Sequence, residues 1–260
     1  EDPLEYFGTA IVKNSRFEGD SFLGNISGFA GTVHYSNEEV RFENMRAVVW
    51  SVPISGSMGI SEFKNPLVQA QLTSDKFNLE LLSVILAQKF ATIFPFEIQG
   101  NGIVSLSVIN RPYENRLVRL KGNISVRNAF FKHPRFSRGL RQLNGEIEFD
   151  QDSARWTMLG FVFDNASYTT SGAIQDFSAP HGELKVAGKD RSVALTYAFT
   201  KNTCTIPQFK GTFQNSKIRL AGSIQNLDEL TPRFDIKGDI LASVEDCKAL
   251  FPEFSKKIDF

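Results

Sequence analysis

The residues best suited to chemistry are few and scattered. Three histidines, His34, His133 and His181, stand far apart in a chain of 260 residues. His133 precedes Pro134 and His181 follows Pro180, so both read as exposed loop residues, while His34 alternates with Val33 and Tyr35 on the polar side of a strand. Glu146 and Glu148 flank Ile147, and that spacing puts both carboxylates on the wet face of a strand rather than in an acid/base dyad. Asp150 and Asp152 fall where a hairpin turn is expected and have no calcium-loop spacing after them. No HExxH, GxSxG or phosphate-binding loop occurs. Cys204 and Cys247 lie 43 residues apart without a CxxC, so nothing in their spacing states whether they pair or in which compartment the chain works. These residues imply no enzyme, no metal and no cofactor.

One charged cluster stands out. Arg111, Arg116, Arg119, Lys121, Arg127, Lys132, Arg135, Arg138 and Arg141 fall within 31 residues. Such a run either meets anionic headgroups or is a solvated strand face balanced by acids elsewhere. The second reading fits the whole chain better, because 29 Lys+Arg balance 29 Asp+Glu. That balance also argues against a nucleic-acid partner, which needs a cationic surplus to displace counterions.

The elements that would position these residues are mostly strands. Val118, Leu120, Ile124 and Val126 alternate with Arg119, Lys121, Asn123, Ser125 and Arg127. Ile218, Leu220 and Ile224 alternate with Lys217, Arg219 and Ser223, and Phe234, Ile236 and Ile240 with Arg233, Asp235, Lys237 and Asp239. Leu184 and Val186, and Leu195, Tyr197 and Phe199, follow the same rule. A period of two marks antiparallel strands with one wet face. Helical spacing is confined to Asn78–Phe90, to Ser243–Phe251 with a capping-box-like start at Ser243 and Asp246, and to a short turn over Pro134–Leu140. The apolar stretches Leu81–Ala87 and Ile93–Phe96 are too short to span a bilayer, and the first residues lack the charge and hydropathy of a leader; a removed leader or anchor stays open.

The chain also repeats. A shift of 114 residues lays Gly8–Phe17 on Gly122–Phe131, Phe29–Tyr35 on Leu143–Phe149 and Pro66 on Pro180, and a shift of 116 lays Gly56 on Gly172. A shift of 50 lays Phe149–Gln175 on Phe199–Gln225, with Phe, Asn, Gly, Ile and Gln coinciding. The shared kernel is Gly followed two residues later by Ile or Met, at Gly24, Gly56, Gly122, Gly172, Gly222 and Gly238. Glycine inside a strand marks a bend, a bulge or a close backbone approach. Two units are expected, 1–114 with its helix near 78–90, and 115–260 with its helix near 243–251.

In this pattern, best seen from Leu143-Asn144-Gly145-Glu146-Ile147-Glu148-Phe149 through Gly172-Ala173-Ile174 to Pro180, the chain resembles the AsmA-like group of bacterial envelope proteins and the related bridge-like lipid transfer proteins. The resemblance covers about Gly8 to Ile240. It implies a periplasmic or membrane-associated location, a long curled antiparallel sheet forming an open groove, and membrane or membrane-protein partners. The 24 Phe and the scarcity of helices to cover so many strands point the same way. The candidate groove comprises Ile124, Val126, Ile147, Phe149, Ile174, Leu184, Val186, Leu195, Tyr197, Phe199, Ile218, Leu220, Ile224, Phe234 and Ile236, with phospholipid or another acyl chain as its ligand. A candidate anionic-surface patch comprises Arg119, Lys121, Arg127, Lys132, Arg135, Arg138 and Arg141. The alternative is a β-repeat scaffold that assembles a membrane-associated complex, its edge strands pairing with neighbouring copies.

Overall fold

The computed structural model describes residues 5–17, 26–49, 51–81, 97–110, 119–132, 138–227 and 231–246. They form fifteen strands, β1 (Phe7–Phe17), β2 (Ile26–Ser36), β3 (Glu39–Val49), β4 (Val52–Ser61), β5 (Leu67–Asn78), β6 (Glu97–Asn110), β7 (Arg119–Lys132), β8 (Leu140–Asp150), β9 (Ser153–Phe163), β10 (Ala166–Gln175), β11 (His181–Gly188), β12 (Arg191–Thr200), β13 (Thr203–Phe213), β14 (Ser216–Gln225) and β15 (Arg233–Leu241). They join one antiparallel sheet in the order of the sequence, with β1 and β15 as its two end strands, so the sheet is not closed. The expected mostly-β, open antiparallel fold is present. Helical turns are short: residues 79–81 follow β5, and 244–246 follow β15. The rest of the expected Asn78–Phe90 and Ser243–Phe251 helices lies outside the described residues. So do 133–137; Arg138 and Gly139 are not helical, and Leu140 opens β8. No described helix is long and apolar enough to cross a membrane.

The repetition is visible in the strand bounds. Shifting β2, β3 and β4 by 114 residues gives the bounds of β8, β9 and β10, and shifting β9 and β10 by 50 gives those of β13 and β14. A β-bulge recurs at matching places: the register slips between Phe42 and Met45 on β3, between Trp156 and Leu159 on β9, and between Ile206 and Phe209 on β13. A four-strand meander therefore occurs as β2–β5, β8–β11 and β12–β15. The common shift of 114 sets Gly56 beside Thr170 and Met58 beside Gly172, so the glycine moves by one pair between copies and the pairing of Gly56 with Gly172 at 116 is not structural equivalence.

Two compact units are distinguished: Glu1–Leu81 with Gln99–Arg127 and Ile147–Gln151, and Leu82–Ile98 with Asn128–Glu146 and Asp152–Phe260. In the first, the Phe29, Met45 and Ala47 side chains are buried, with Val12, Ile26, Phe42, Ile54 and Leu72 against them. The Phe29 ring meets Phe17 and Phe42 edge-on, with centroids 5.3 and 6.0 Å away. In the second, the buried apolar residues among those described are Ala129, Leu159, Phe161 and Cys204; the other apolar side chains of its strands are half-buried or exposed.

Four glycines inside the strands, Gly8, Gly122, Gly172 and Gly188, are seats for aromatic rings. Gly172 lies opposite Trp156, and a methyl group on it would come within 2.6 Å of both Trp156 Cζ2 and the Glu183 carbonyl oxygen. The Tyr168 ring covers Gly188 opposite it, Tyr35 covers Gly8, and Phe149 covers Gly122. A ring folded across a Cβ-less position on the neighbouring strand buries apolar area without a second layer. Gly172→Ala is therefore expected to lose about 1–3 kcal/mol through overpacking. Gly160→Ala, whose added methyl meets nothing closer than the Asn144 carbonyl at 4.0 Å, is expected to stay within about 0.5 kcal/mol. Urea unfolding followed by circular dichroism checks both.

Candidate functional site

Cross-strand partners in an antiparallel sheet share a face, so register shows which side chains stand together. In the second unit three rows cross the strands on one face. One runs Leu159, Thr170, Val186, Val193, Gly211, Ile218 and Ile240. The next runs Trp156, Gly172, Leu184, Leu195, Phe209, Leu220 and Gly238. The third carries Ala154, Ile174, Gly182 and Tyr197, and after the β13 bulge Ile206, Gly222 and Ile236. Phe199, Cys204, Ile224 and Phe234 continue the face at one end.

The expected groove residues Ile174, Leu184, Val186, Leu195, Tyr197, Phe199, Ile218, Leu220, Ile224, Phe234 and Ile236 all stand on this face. Most are half-buried, while on β15 Phe234 is 62% and Ile236 39% exposed. Ile147 and Phe149 of β8 and Ile124 and Val126 of β7 belong to the first unit. Ile147 and Phe149 are half-buried. Ile124 and Val126, only 6% and 4% exposed, are core residues that offer a ligand no area; Gly102 packs against the Ile124 side chain. Trp156, Leu159, Phe161, Val193, Ile206, Phe209 and Phe213 also stand on the face of the second unit but are missing from the sequence-based set. Val193 was legible, being two residues before Leu195. The bulges hid the pairs Trp156/Leu159 and Ile206/Phe209, because a period-two count changes face at an extra residue.

The polar atoms on this face are satisfied locally. The Tyr197 hydroxyl donates to the Ala173 carbonyl at 3.3 Å, and its ring meets Phe199 at 5.6 Å. Burial pushes the Tyr197 phenol up to about 12 and the Cys204 thiol upward, with the nearby Cys204 adding to the effect on Tyr197. Arg191 is the charged residue of the face. It lies at the end of the row of strand ends, its guanidinium 4.6 Å from the Phe213 ring and its Nη1 donating to the Tyr168 hydroxyl at 3.3 Å. Phe161 and Tyr168 stack with centroids 5.5 Å apart. The opposite face carries Thr169, Ser171, Glu183, Lys185, Thr196, Lys210, Arg219 and Lys237.

The residues of the expected basic patch divide between the two units. Arg119, Lys121 and Arg127 are exposed on β7 in the first unit. Lys132, Arg138 and Arg141 belong to the second. There Arg138 pairs with Asp164, and Arg141 Nη2 donates to Asn165 Oδ1 at 2.9 Å, so one turn holds both guanidiniums. Arg135, His133 and Cys247 lie outside the described residues. His34 Nδ1 meets Thr9 Oγ1 at 3.1 Å and His34 Nε2 meets Glu43 at 3.5 Å, both on a wet strand face. Among the described residues no three His, Cys, Asp or Glu side chains stand together as metal ligands.

Asp246 closes the end of β13 and β14. It is 1% exposed, and its Oδ2 accepts from the Asn215 amide at 3.0 Å and the Ser216 hydroxyl at 2.6 Å. Ser243 caps the helical turn by accepting from the Asp246 amide at 3.1 Å, while the Ser243 amide donates to Ser216 Oγ at 3.0 Å. The sequence suggested a local box, but the carboxylate instead reaches a hairpin turn about thirty residues earlier. The Ser216 hydroxyl, with further hydrogen bonds from Ser243 and the Asn215 and Ser216 amides, holds the Asp246 carboxyl below its ordinary value.

Compared with protein-family models, curated proteins and solved structures, the chain matches none.

Two titrations follow. The lowered Asp246 pKa means its contribution is present above the unfolded value near 3.8 and is lost as pH falls through the folded one. Asp246→Asn is expected to lower the urea midpoint at pH 7 and to flatten its decline below about pH 4. The raised Tyr197 pKa has the opposite sense: the fold keeps a proton that the unfolded chain releases above about pH 10, so stability falls from there towards about pH 12. Absorbance titration of Tyr197→Phe against wild type should show the loss of one late-titrating phenol.

Proposed function

We propose that this chain is a non-enzymatic protein of the bacterial periplasm or cell envelope, and that the apolar face of its second unit binds phospholipid acyl chains for passage between membranes. The observation that carries the reading is the continuous apolar face from β9 to β15, mostly half-buried and most open on β15, at Phe234 and Ile240. Soluble monomers rarely leave such a surface uncovered unless it binds something. Six strand spacings of about 4.8 Å give it a width of about 29 Å, close to the hydrocarbon thickness of a bilayer. An acyl chain lying across the rows meets leucines, isoleucines and aromatic rings at every strand. At about 0.8 kcal/mol per methylene shielded, a chain of about fourteen carbons gains on the order of 10 kcal/mol before ordering costs.

No headgroup-specific contact enters this reading. Neighbouring rows differ little in character, so a chain can shift from one to the next without crossing a charged side chain. The resemblance to AsmA-like repeats supports the same function, with membrane-protein partners as its corollary. The rival, a scaffold with no lipid, would leave the face covered by protein.

Lipid extraction and native mass spectrometry of the purified chain are expected to find bound phospholipid. Leu195→Glu, which sets a carboxylate in the central row, is expected to lower binding of a fluorescent phospholipid at least on the order of tenfold. Thr196→Glu, on the opposite face, should leave binding unchanged. A lipid-free wild type that also fails to bind the probe, with a native circular dichroism spectrum, would sink the proposal.

A further inference from the structure

The last strand, β15, is exposed along its whole length and has β14 as its single strand neighbour among the described residues. Its counterpart one repeat earlier is β11, whose outer edge pairs with β12 and sets Leu184 against Leu195 and Val186 against Val193. Shifted by 50 residues, Leu184 and Val186 fall on Phe234 and Ile236, which are 62% and 39% exposed. Among the described residues no strand stands beside β15 in the place that β12 takes beside β11.

Edge strands that must stay alone usually carry like charges or prolines that repel a second copy. The polar face of β15 does the reverse: it reads Arg233, Asp235, Lys237, Asp239, with signs alternating. An antiparallel twofold pairing of β15 with itself must keep apolar faces on one side, which restricts its registers. Centred on Ile236, the pairing sets Arg233 opposite the partner's Asp239 and Asp235 opposite the partner's Lys237. On the apolar face it sets Phe234 over the partner's Gly238, the same ring-over-glycine seat that Trp156 and Gly172 form. Centred one residue away on Lys237 or Asp235, it sets like charges opposite each other. Centred on Phe234 or Gly238, it retains fewer opposite-charge pairs.

We infer that β15 is a dimerisation edge whose occupant is β15 of a second copy, in the register centred on Ile236. The twofold closes the edge with one partner and continues the apolar face across both copies. This inference rests on charge and register alone and stands or falls independently of lipid binding.

Sedimentation equilibrium over the micromolar range should show a monomer–dimer equilibrium for the wild type. Lys237→Asp, which sets Asp opposite Asp235, should weaken it at least on the order of tenfold. The double variant Asp235→Lys with Lys237→Asp restores opposite signs in this register and should restore the dimer. All these side chains are exposed, so circular dichroism should stay native. Under oxidation Ile236→Cys should cross-link to its own copy above the wild-type background, and Lys237→Cys should not. A monomeric wild type, failure of the double variant to recover, larger open assemblies, or cross-linking at position 237 in place of 236 would each overturn the inference.

Discussion

Within each unit, the apolar side chains of the sheet cover one another because their backbone partners bring them together. That constraint governs the sequence. A residue on the apolar face has as neighbours the residue opposite, those two positions along, and the next strand's partner, so its burial is limited by what four or five side chains can supply. Aromatic rings answer this best, since one ring covers the place of a missing Cβ on the adjoining strand. Trp156 over Gly172 and Tyr168 over Gly188 show the device in adjacent strands; at Gly56, Gly222 and Gly238 the close neighbour is the backbone of the next strand instead. The cost is incomplete shielding: Leu195 and Leu220 stay half-buried although each is flanked by apolar partners.

The same constraint explains why the bulges repeat with the strands. An added residue at Phe42/Met45, Trp156/Leu159 and Ile206/Phe209 increases local twist and swaps the face of everything beyond it. Each of these strands nevertheless keeps apolar residues on the inner side at both ends. The sequence compensates for the slip by spacing its apolar residues three apart there instead of two. The bulges are built into the unit.

The alternation in β11, β12, β14 and β15 was legible because those runs keep strict register: Leu184 with Val186, Leu195 with Tyr197, Ile218 with Leu220, Phe234 with Ile236. The repeat shifts of 114 and 50 were legible from a few glycines and aromatics, and they coincide with strand bounds. Other features depend on distance in space. Nothing local marks Ile124 and Val126 as core while Ile218 and Leu220, with the same alternation, stay half-buried. Nothing local tells that Asp246 serves Ser216 rather than its own helical turn. Trp156 and Phe209 eluded the face count because a bulge is a backbone event at residues of ordinary type. Nothing local in the basic cluster names the partners of Arg138 and Arg141; Asp164 and Asn165, which hold them, come from a hairpin turn further on.

A sheet whose strands follow one another without a crossover has a further property. Every hairpin can close as soon as its second strand has left the ribosome, because no strand waits for a distant mate. Loop-closure entropy is then set by the length of a turn and is nearly independent of chain length. Assembly can advance strand by strand from the N-terminus, each new arrival docking on the one before, and opening can begin at either end without disturbing the middle. Such a chain grows by duplication at little kinetic cost, which gives a physical reason why a four-strand meander could be copied to make the protein longer.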